Sequence, residues 1–375
     1  MVDIAVVRTA NSIIYDPRVR KIVASLSKKY SIITLGWNRD GISQEKINNY
    51  LVKLELFKLK TSFWKPSLGR IFTRLLVFFV PFWMWTFIKL LIFRPEIIYA
   101  CDLDSVLPCY TYKVLFRKKL VFDVFDRYAM TSIPINFRIL YSVVNWMEEF
   151  FGKHSDALII AGGQKVLETF VKKPKYFSVL LNCPEDHLPP KTKKSELKDK
   201  DLKIVYTGGI RKDRSLVSVA EAISALNSIQ FIIAGPILDK GVLQKMQESP
   251  NVKYEGILEP IDALLLEASS DIMIALYDPK IPWNNITLPN KLFEAMMCGI
   301  SIITNIAHEI VNGIGCGLIV EYDSVENIKQ TILKLRDDRQ LRQNMGKNGR
   351  RAFLEEYSWQ IMEQRLYKIC EELLK

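Results

Sequence analysis

The first 36 residues hold a strand, a helix and a second strand, and few folds can accommodate that unit. Asp3 to Val7 is a short apolar run and reads as a buried strand. Pro17 opens a helix through about Lys29, with Val19, Ile22, Val23 and Leu26 at helical spacing. Ser31 to Gly36 is the next strand. So short a crossover joins parallel strands, which predicts an α/β fold with doubly wound sheets and ligands at their C-terminal edges. Strands follow at Glu96 to Ala100, Leu120 to Phe122, Ala157 to Ala161 and Phe177 to Leu181. The pattern restarts with Leu202 to Thr207, a helix at Leu216 to Leu226, and strands at Gln230 to Ala234, Val252 to Glu255, Asp271 to Leu276 and Ile300 to Thr304. A chain of 375 residues is long enough for two such domains. His187 to Lys203 carries two prolines, six lysines and almost nothing apolar, so it reads as the linker. The expected division is 1–186, a linker at 187–202, a second domain at 203–357 and a closing helix at 358–375.

The second half concentrates the chemistry. Leu288-Pro289-Asn290-Lys291-Leu292-Phe293-Glu294-Ala295-Met296-Met297-Cys298-Gly299 reads as a helix that opens at Pro289 and stops at Gly299. The free N–H groups of its first turn suit a phosphate, and Lys291 adds a full charge there. Lys291 and Glu294 share a face, so one could meet a diphosphate while the other accepts sugar hydroxyls; a plain surface ion pair fits the spacing equally. The strand ending at Thr207 runs into Gly208-Gly209, then Arg211, Lys212 and Arg214, which is a phosphate-cradling order. Arg214 also reads as a solvated charge after a turn. In the first half two strands empty into acids, Cys101-Asp102-Leu103-Asp104 and Asp123-Val124-Phe125-Asp126. Asp126 could equally cap a following helix. The loop Thr9-Ala10-Asn11-Ser12 lacks a Gly-x-Gly-x-x-Gly turn, so dinucleotide binding is not expected there. The six cysteines include no Cys-x-x-Cys pair and there are three histidines, so no metal site is expected.

The stretch Pro289 to Gly299 resembles the donor-site helix of retaining glycosyltransferases of family 4, which have the GT-B fold of two Rossmann-like domains facing a cleft. That family usually carries two glutamates with seven residues between them; Glu294 matches the second, and Ile286 stands at the first. After the strand at Leu202 the family has Gly-Arg and then a lysine; here Gly209 stands at the arginine and Arg214 at the lysine. The resemblance implies that Arg214 and Lys291 clamp a diphosphate, with Lys291 or Arg211 making up for the lost arginine. Glu294 would hold the ribose, and the loop at Glu255-Gly256-Ile257 would seat the base through its backbone. Gly208, Gly209, Pro289, Asn290 and Leu292 complete the expected donor set. Cys101 and Phe125 stand where family histidines would, and Asp102 and Asp126 keep the neighbouring acids. Asp126 is then the candidate for orienting or deprotonating the acceptor hydroxyl. The closing helix would pack back on the first domain.

Ile71 to Phe93 is the most apolar stretch, broken by Arg74 and Lys89. Across 51–94 there are eight Lys or Arg and one acid, Glu55. Basic flanks around Phe and Trp suit a helix lying in a membrane interface; a buried core helix and a spanning helix are the alternatives. A formal charge of +11 implies an anionic partner, and an anionic membrane surface fits better than nucleic acid, because the charge gathers around an apolar stretch. The start Met1-Val2-Asp3-Ile4 lacks a basic n-region, and with the unpaired cysteines this leads to the cytoplasmic membrane face. The expected activity is transfer of a sugar from a nucleotide sugar to a lipid-linked glycan acceptor, with no metal or other cofactor. A sugar-nucleotide epimerase of the same fold and a non-catalytic membrane-bound subunit are the rivals. The Asp102-Leu103-Asp104 triplet also fits the metal-binding motif of the single-nucleotide-domain glycosyltransferase fold.

Overall fold

The computed structural model describes residues 2–9, 13, 14, 16–38, 43, 50–59, 78–131, 133, 137–188 and 202–375. The chain divides into two compact units, Met1–Asn182 with Glu363–Lys375, and Cys183–Met362. The break precedes the lysine-rich stretch because Pro184 and Asp186 are tied into the second unit: the Pro184 carbonyl accepts from the Trp359 N–H at 3.0 Å, and Asp186 pairs with Arg350 at 2.7 Å. Residues 189–201 of the expected linker lie outside the described residues, as do Ala10 to Ser12 and 71–77.

The first unit holds a seven-stranded sheet of order β3-β2-β1-β4-β5-β6-β7. Its strands are β1 (Ile4–Arg8), β2 (Ile32–Trp37), β3 (Lys53–Phe57), β4 (Ile97–Cys101), β5 (Lys119–Val124), β6 (Ala157–Ile160) and β7 (Tyr176–Val179), and every pair is parallel. The helices are α1 (Pro17–Leu26), α2 (Val80–Phe93), α3 (Leu103–Phe116), α4 (Tyr128–Thr131), α5 (Arg138–His154) and α6 (Gln164–Glu168). Asp16 caps α1 by accepting the N–H groups of Arg18 and Val19. The helix stops at Leu26, earlier than the pattern predicts, because Ser27–Lys29 form a turn. β3 is a correction: Lys53–Phe57 was expected in the membrane-associating segment and is instead the edge strand of the sheet.

The second unit holds a six-stranded sheet of order β10-β9-β8-β11-β12-β13. Its strands are β8 (Leu202–Thr207), β9 (Ile229–Ala234), β10 (Val252–Tyr254), β11 (Ile272–Ala275), β12 (Ser301–Thr304) and β13 (Gly317–Ile319), again all parallel. The helices are α7 (Leu216–Ile223), α8 (Lys240–Met246), α9 (Pro260–Ala268), α10 (Asn290–Cys298), α11 (His308–Ile314), α12 (Val325–Asp337) and α13 (Arg339–Ala352). Near-continuous apolar strands such as Ile272–Ala275 are buried, as a sheet covered on both faces requires. The last helix, α14 (Trp359–Leu374), passes from the second unit into the first, where Tyr367 donates to the Ser25 carbonyl at 2.8 Å.

Strand order reverses between β8 and β11, and in the first unit between β1 and β4. Such a reversal leaves a crevice at the C-terminal ends of the strands, where open α/β sheets bind ligands.

Candidate active site

At the β8–β11 reversal the chain leaves β8 as Thr207-Gly208-Gly209. The turn is braced by Tyr206, whose hydroxyl donates to the Gly209 carbonyl at 3.0 Å. Gly235, at the end of β9, has φ +137°, and a Cβ there would stand 2.1 Å from the Gly208 carbonyl oxygen. Any side chain at Gly235 would therefore force the two strand ends apart. Gly256, at the end of β10, accepts the Gly235 N–H at 2.8 Å and has open space where a Cβ would point. Three neighbouring strands thus end in bare backbone.

Helix α10 follows β11 through the loop 276–289. Pro289 is the residue before the first helical turn rather than its first member, with ψ 139°. No side chain caps this end, and Asn290 is exposed. The Leu292 side chain is in the core and its N–H donates to the Pro289 carbonyl at 3.0 Å, so Leu292 offers no free group. The α10 amides of Asn290 and Lys291 remain as the candidates for an anion.

Three charged side chains converge beside this turn. Lys291 donates to Glu294 and, at 3.1 Å, to Glu267, which α9 brings in from outside the predicted set. Glu267 is 1% exposed and also accepts from the Thr207 hydroxyl. Burial and the neighbouring Glu294 push its carboxyl up to about 7, against the pull of Lys291. Burial opposes the charge on Lys291, but Glu294 and Glu267 outweigh it and hold the ammonium above its ordinary value. Arg214 lies over the Tyr277 ring at 4.4 Å and is anchored on the Asp213 carboxylate at 2.6 Å. Arg211 is exposed and pairs with Asp213 at 2.8 Å. Burial raises Tyr206 and Tyr277, with Arg214 and Lys291 pulling both the other way. The two cations therefore share one neighbourhood, around the Tyr206 and Tyr277 rings and next to the turn that Tyr206 braces.

The first unit assembles a different cluster at its own reversal. Arg8, ending β1, pairs with Asp16 at 3.1 Å and with Asp102, just past β4. Arg18 grips Asp123 with contacts of 2.9 and 3.1 Å and donates to the Leu180 carbonyl at 2.6 Å. Tyr99 donates to the same Asp123 at 2.6 Å, and both guanidiniums lie over the Phe125 ring, at 4.4 and 4.8 Å. Burial pushes the Asp102 carboxyl up to about 7 against the pull of Arg8. Asp102 accepts the Phe125 N–H at 2.7 Å, so its oxygens are committed and it sets the loop rather than facing a substrate. Asp104 hydrogen bonds with Tyr128, so the Asp-x-Asp pair is not a free ligand set. Asp126 is exposed as a residue, yet the packing around its carboxyl lifts it, while Arg8 and Arg18 pull it down. Asp126 ends no helix cap: Glu148 of α5 accepts the Tyr128 and Ala129 N–H groups instead. Sequence reasoning missed Arg8, Arg18 and Glu267, because each looks like an ordinary charge on its own element. Among the described residues no cluster of His, Cys, Asp and Glu could hold a metal ion.

Residues 211–368 match the family described as glycosyl transferase-like. Over 166 residues the chain is 29% identical to a GDP-mannose-dependent monoacylated alpha-(1-6)-phosphatidylinositol monomannoside mannosyltransferase of Corynebacterium glutamicum. That match covers 43% of each protein, so the chain spans less than half the length of this relative. Sucrose-phosphate synthase of Thermosynechococcus elongatus superposes with a TM-score of 0.77 at 13% identity, over 100% of this chain and 99% of that one. Anabaena HepE in complex with UDP and glucose gives a TM-score of 0.74 at 12% identity, over 99% and 100%. The chain has the two parallel-sheet domains of GT-B glycosyltransferases, and its second half carries a glycosyl transferase-like region.

Proposed function

We propose that the protein is a metal-independent, retaining glycosyltransferase of the family 4 kind. It moves a sugar from a nucleoside diphosphate sugar to a membrane-presented, lipid-linked glycan. The observation that carries this reading is the meeting of Lys291, Glu294 and the uncapped first turn of α10 beside Gly208-Gly209 and Arg214. A diphosphate in this neighbourhood would meet both cations and the uncapped N–H groups of the first turn. The reaction breaks the bond from the anomeric carbon to the diphosphate, whose oxygen keeps the electron pair. Arg214, Lys291 and the α10 amides face that developing charge, and preorganised donors of this kind are commonly the largest catalytic contribution. Glu294 accepts from the ribose hydroxyls and the open backbone at Gly256 seats the base. The acceptor oxygen bonds to the anomeric carbon, and Asp126 orients that hydroxyl and takes its proton.

Two further facts support a lipid acceptor, which we place at the cytoplasmic membrane face. The mannosyltransferase relative is named for a phosphatidylinositol mannoside substrate. Helix α2 turns Met84 (62% exposed), Ile88 (51%) and Ile92 (60%) outward, and it contains no acid. UDP- and GDP-sugars incubated with and without membrane lipid extract test the activity, read as nucleoside diphosphate released. Release should require the extract. Replacing Lys291 with alanine should lower turnover by more than tenfold, about 1.4 kcal/mol of barrier. Turnover unchanged in K291A would remove Lys291 from the mechanism.

A further inference from the structure

Glu267 is a buried acid in a site built for an anion. Its Oε1 accepts from Thr207 and from Lys291, while its buried Oε2 has no hydrogen-bond partner. A carboxylate taken out of water with one oxygen unmet is costly, so its charge depends on Lys291. Lys291 is shared with Glu294, leaving one ammonium between two carboxylates.

We propose that Glu267 is a positioning residue that holds Lys291 before nucleotide binds and takes up a proton from solvent when a nucleoside diphosphate claims the lysine's charge. This rests on the donor-site reading above. The groups facing Glu267 are Lys291, Glu294 and the Cys298 thiol from α10, and the Thr207 hydroxyl from β8. Burial and the two glutamates push the Cys298 thiol up, so it stays protonated, and Lys291 stays an ammonium. Glu267, pushed up to about 7 by burial and Glu294, is the group able to change charge near neutral pH. A diphosphate beside Lys291 brings more negative charge and raises it further. The proton goes to Oε2, the oxygen without a partner.

The sign follows from linkage. Above pH 7 the free site is ionised and the complex is protonated, so affinity falls as pH rises, by about tenfold per unit while one proton is taken up. Below pH 7 both states hold the proton and this group contributes no slope. Titration of UDP and of GDP into the full-length protein at about pH 8, in two buffers of different ionisation heat, counts the protons bound; this is a unit above the Glu267 value of about 7, so the acid is nearly all ionised. Wild type should take up close to one proton more than E267Q, and E267Q should lose the corresponding slope; the ligand's own phosphate titration is common to both and cancels. Equal proton uptake in two proteins that both bind nucleotide overturns the proposal and leaves the donor site standing. If E267Q does not fold, the wild type decides alone at about pH 8, where a terminal phosphate that titrates at about 6 is already ionised: binding without proton uptake overturns the proposal. Wild type that binds neither UDP nor GDP removes the donor-site reading and this inference together.

Discussion

Arg18 is 3% exposed, and its partner Asp123 is fully buried. With Tyr99 and the Leu180 carbonyl they form a buried polar knot at the C-terminal edge of the first sheet. Removing one member of a buried ion pair strands the other charge, at a typical cost of about 3–5 kcal/mol. Arg18→Met should therefore lower the urea stability of the first unit by that amount, and adding Asp123→Asn should recover part of it, a coupling that a double-mutant cycle measures. A loss under about 1 kcal/mol would mean that the knot contributes little to the fold. None of this was legible in the sequence. Arg18 sits in the first turn of an amphipathic helix, where a solvated charge is ordinary, and its partner lies 105 residues away. Lys291 and Glu294 were legible because three residues separate them on one helix, whereas Glu267 reaches Lys291 from 24 residues upstream.

At the scale of elements, punctuation was readable and orientation was not. Gly299 ends α10 with φ 64°, a position that local chemistry announces, and the Pro289 reading missed by a single residue, within the ordinary blur of helix ends. Helix α2 is apolar nearly all round, so its sequence could not say which face is buried. The fold decides: Phe82, Thr86 and Leu90 face the interior of the first unit, and Met84, Ile88, Leu91 and Ile92 face out. At 14 residues it is about 21 Å long, short of a bilayer's hydrocarbon core, and among the described residues no helix is long and apolar enough to cross one. Lys89 is turned to Glu55 at 2.9 Å, so the outward apolar stripe is flanked by the exposed Arg94 at the helix end, which suits an anionic lipid surface. The triple variant M84S/I88S/I92S should float with anionic liposomes several-fold less than wild type. Its stability should stay within about 0.5 kcal/mol per site, because exposed side chains carry little packing. Unchanged flotation would show that this face does not bind the membrane.

On the scale of the whole molecule, the chain leaves the first unit at Asn182 and returns to it at Glu363, so the first unit is made from two separate segments. The spacing of apolar residues over 358–374 announces a helix with a buried face but not the core that receives it. The receiving core is that of the first unit: Leu366 and Cys370 are fully buried, Leu373 is 3% exposed, and Lys28 and Lys29 of the first unit pair with Glu363 and Glu371. Full burial of a large apolar side chain is worth about 1.5–3 kcal/mol, so losing Leu366, Ile369 and Leu373 together forfeits roughly 5–9 kcal/mol. That is comparable with the whole stability of an ordinary domain, about 5–15 kcal/mol. The second unit keeps its own core of Ile204, Phe231, Ile274 and Ile303, to which 363–375 contributes nothing. Truncation after Met362 should therefore unfold the first unit while the second still melts cooperatively and binds UDP or GDP as the full chain does. Scanning calorimetry with and without nucleotide checks this: one transition should vanish, and the surviving one should shift upward with ligand. Loss of both transitions in the truncated protein would show that the second unit depends on the first for its stability.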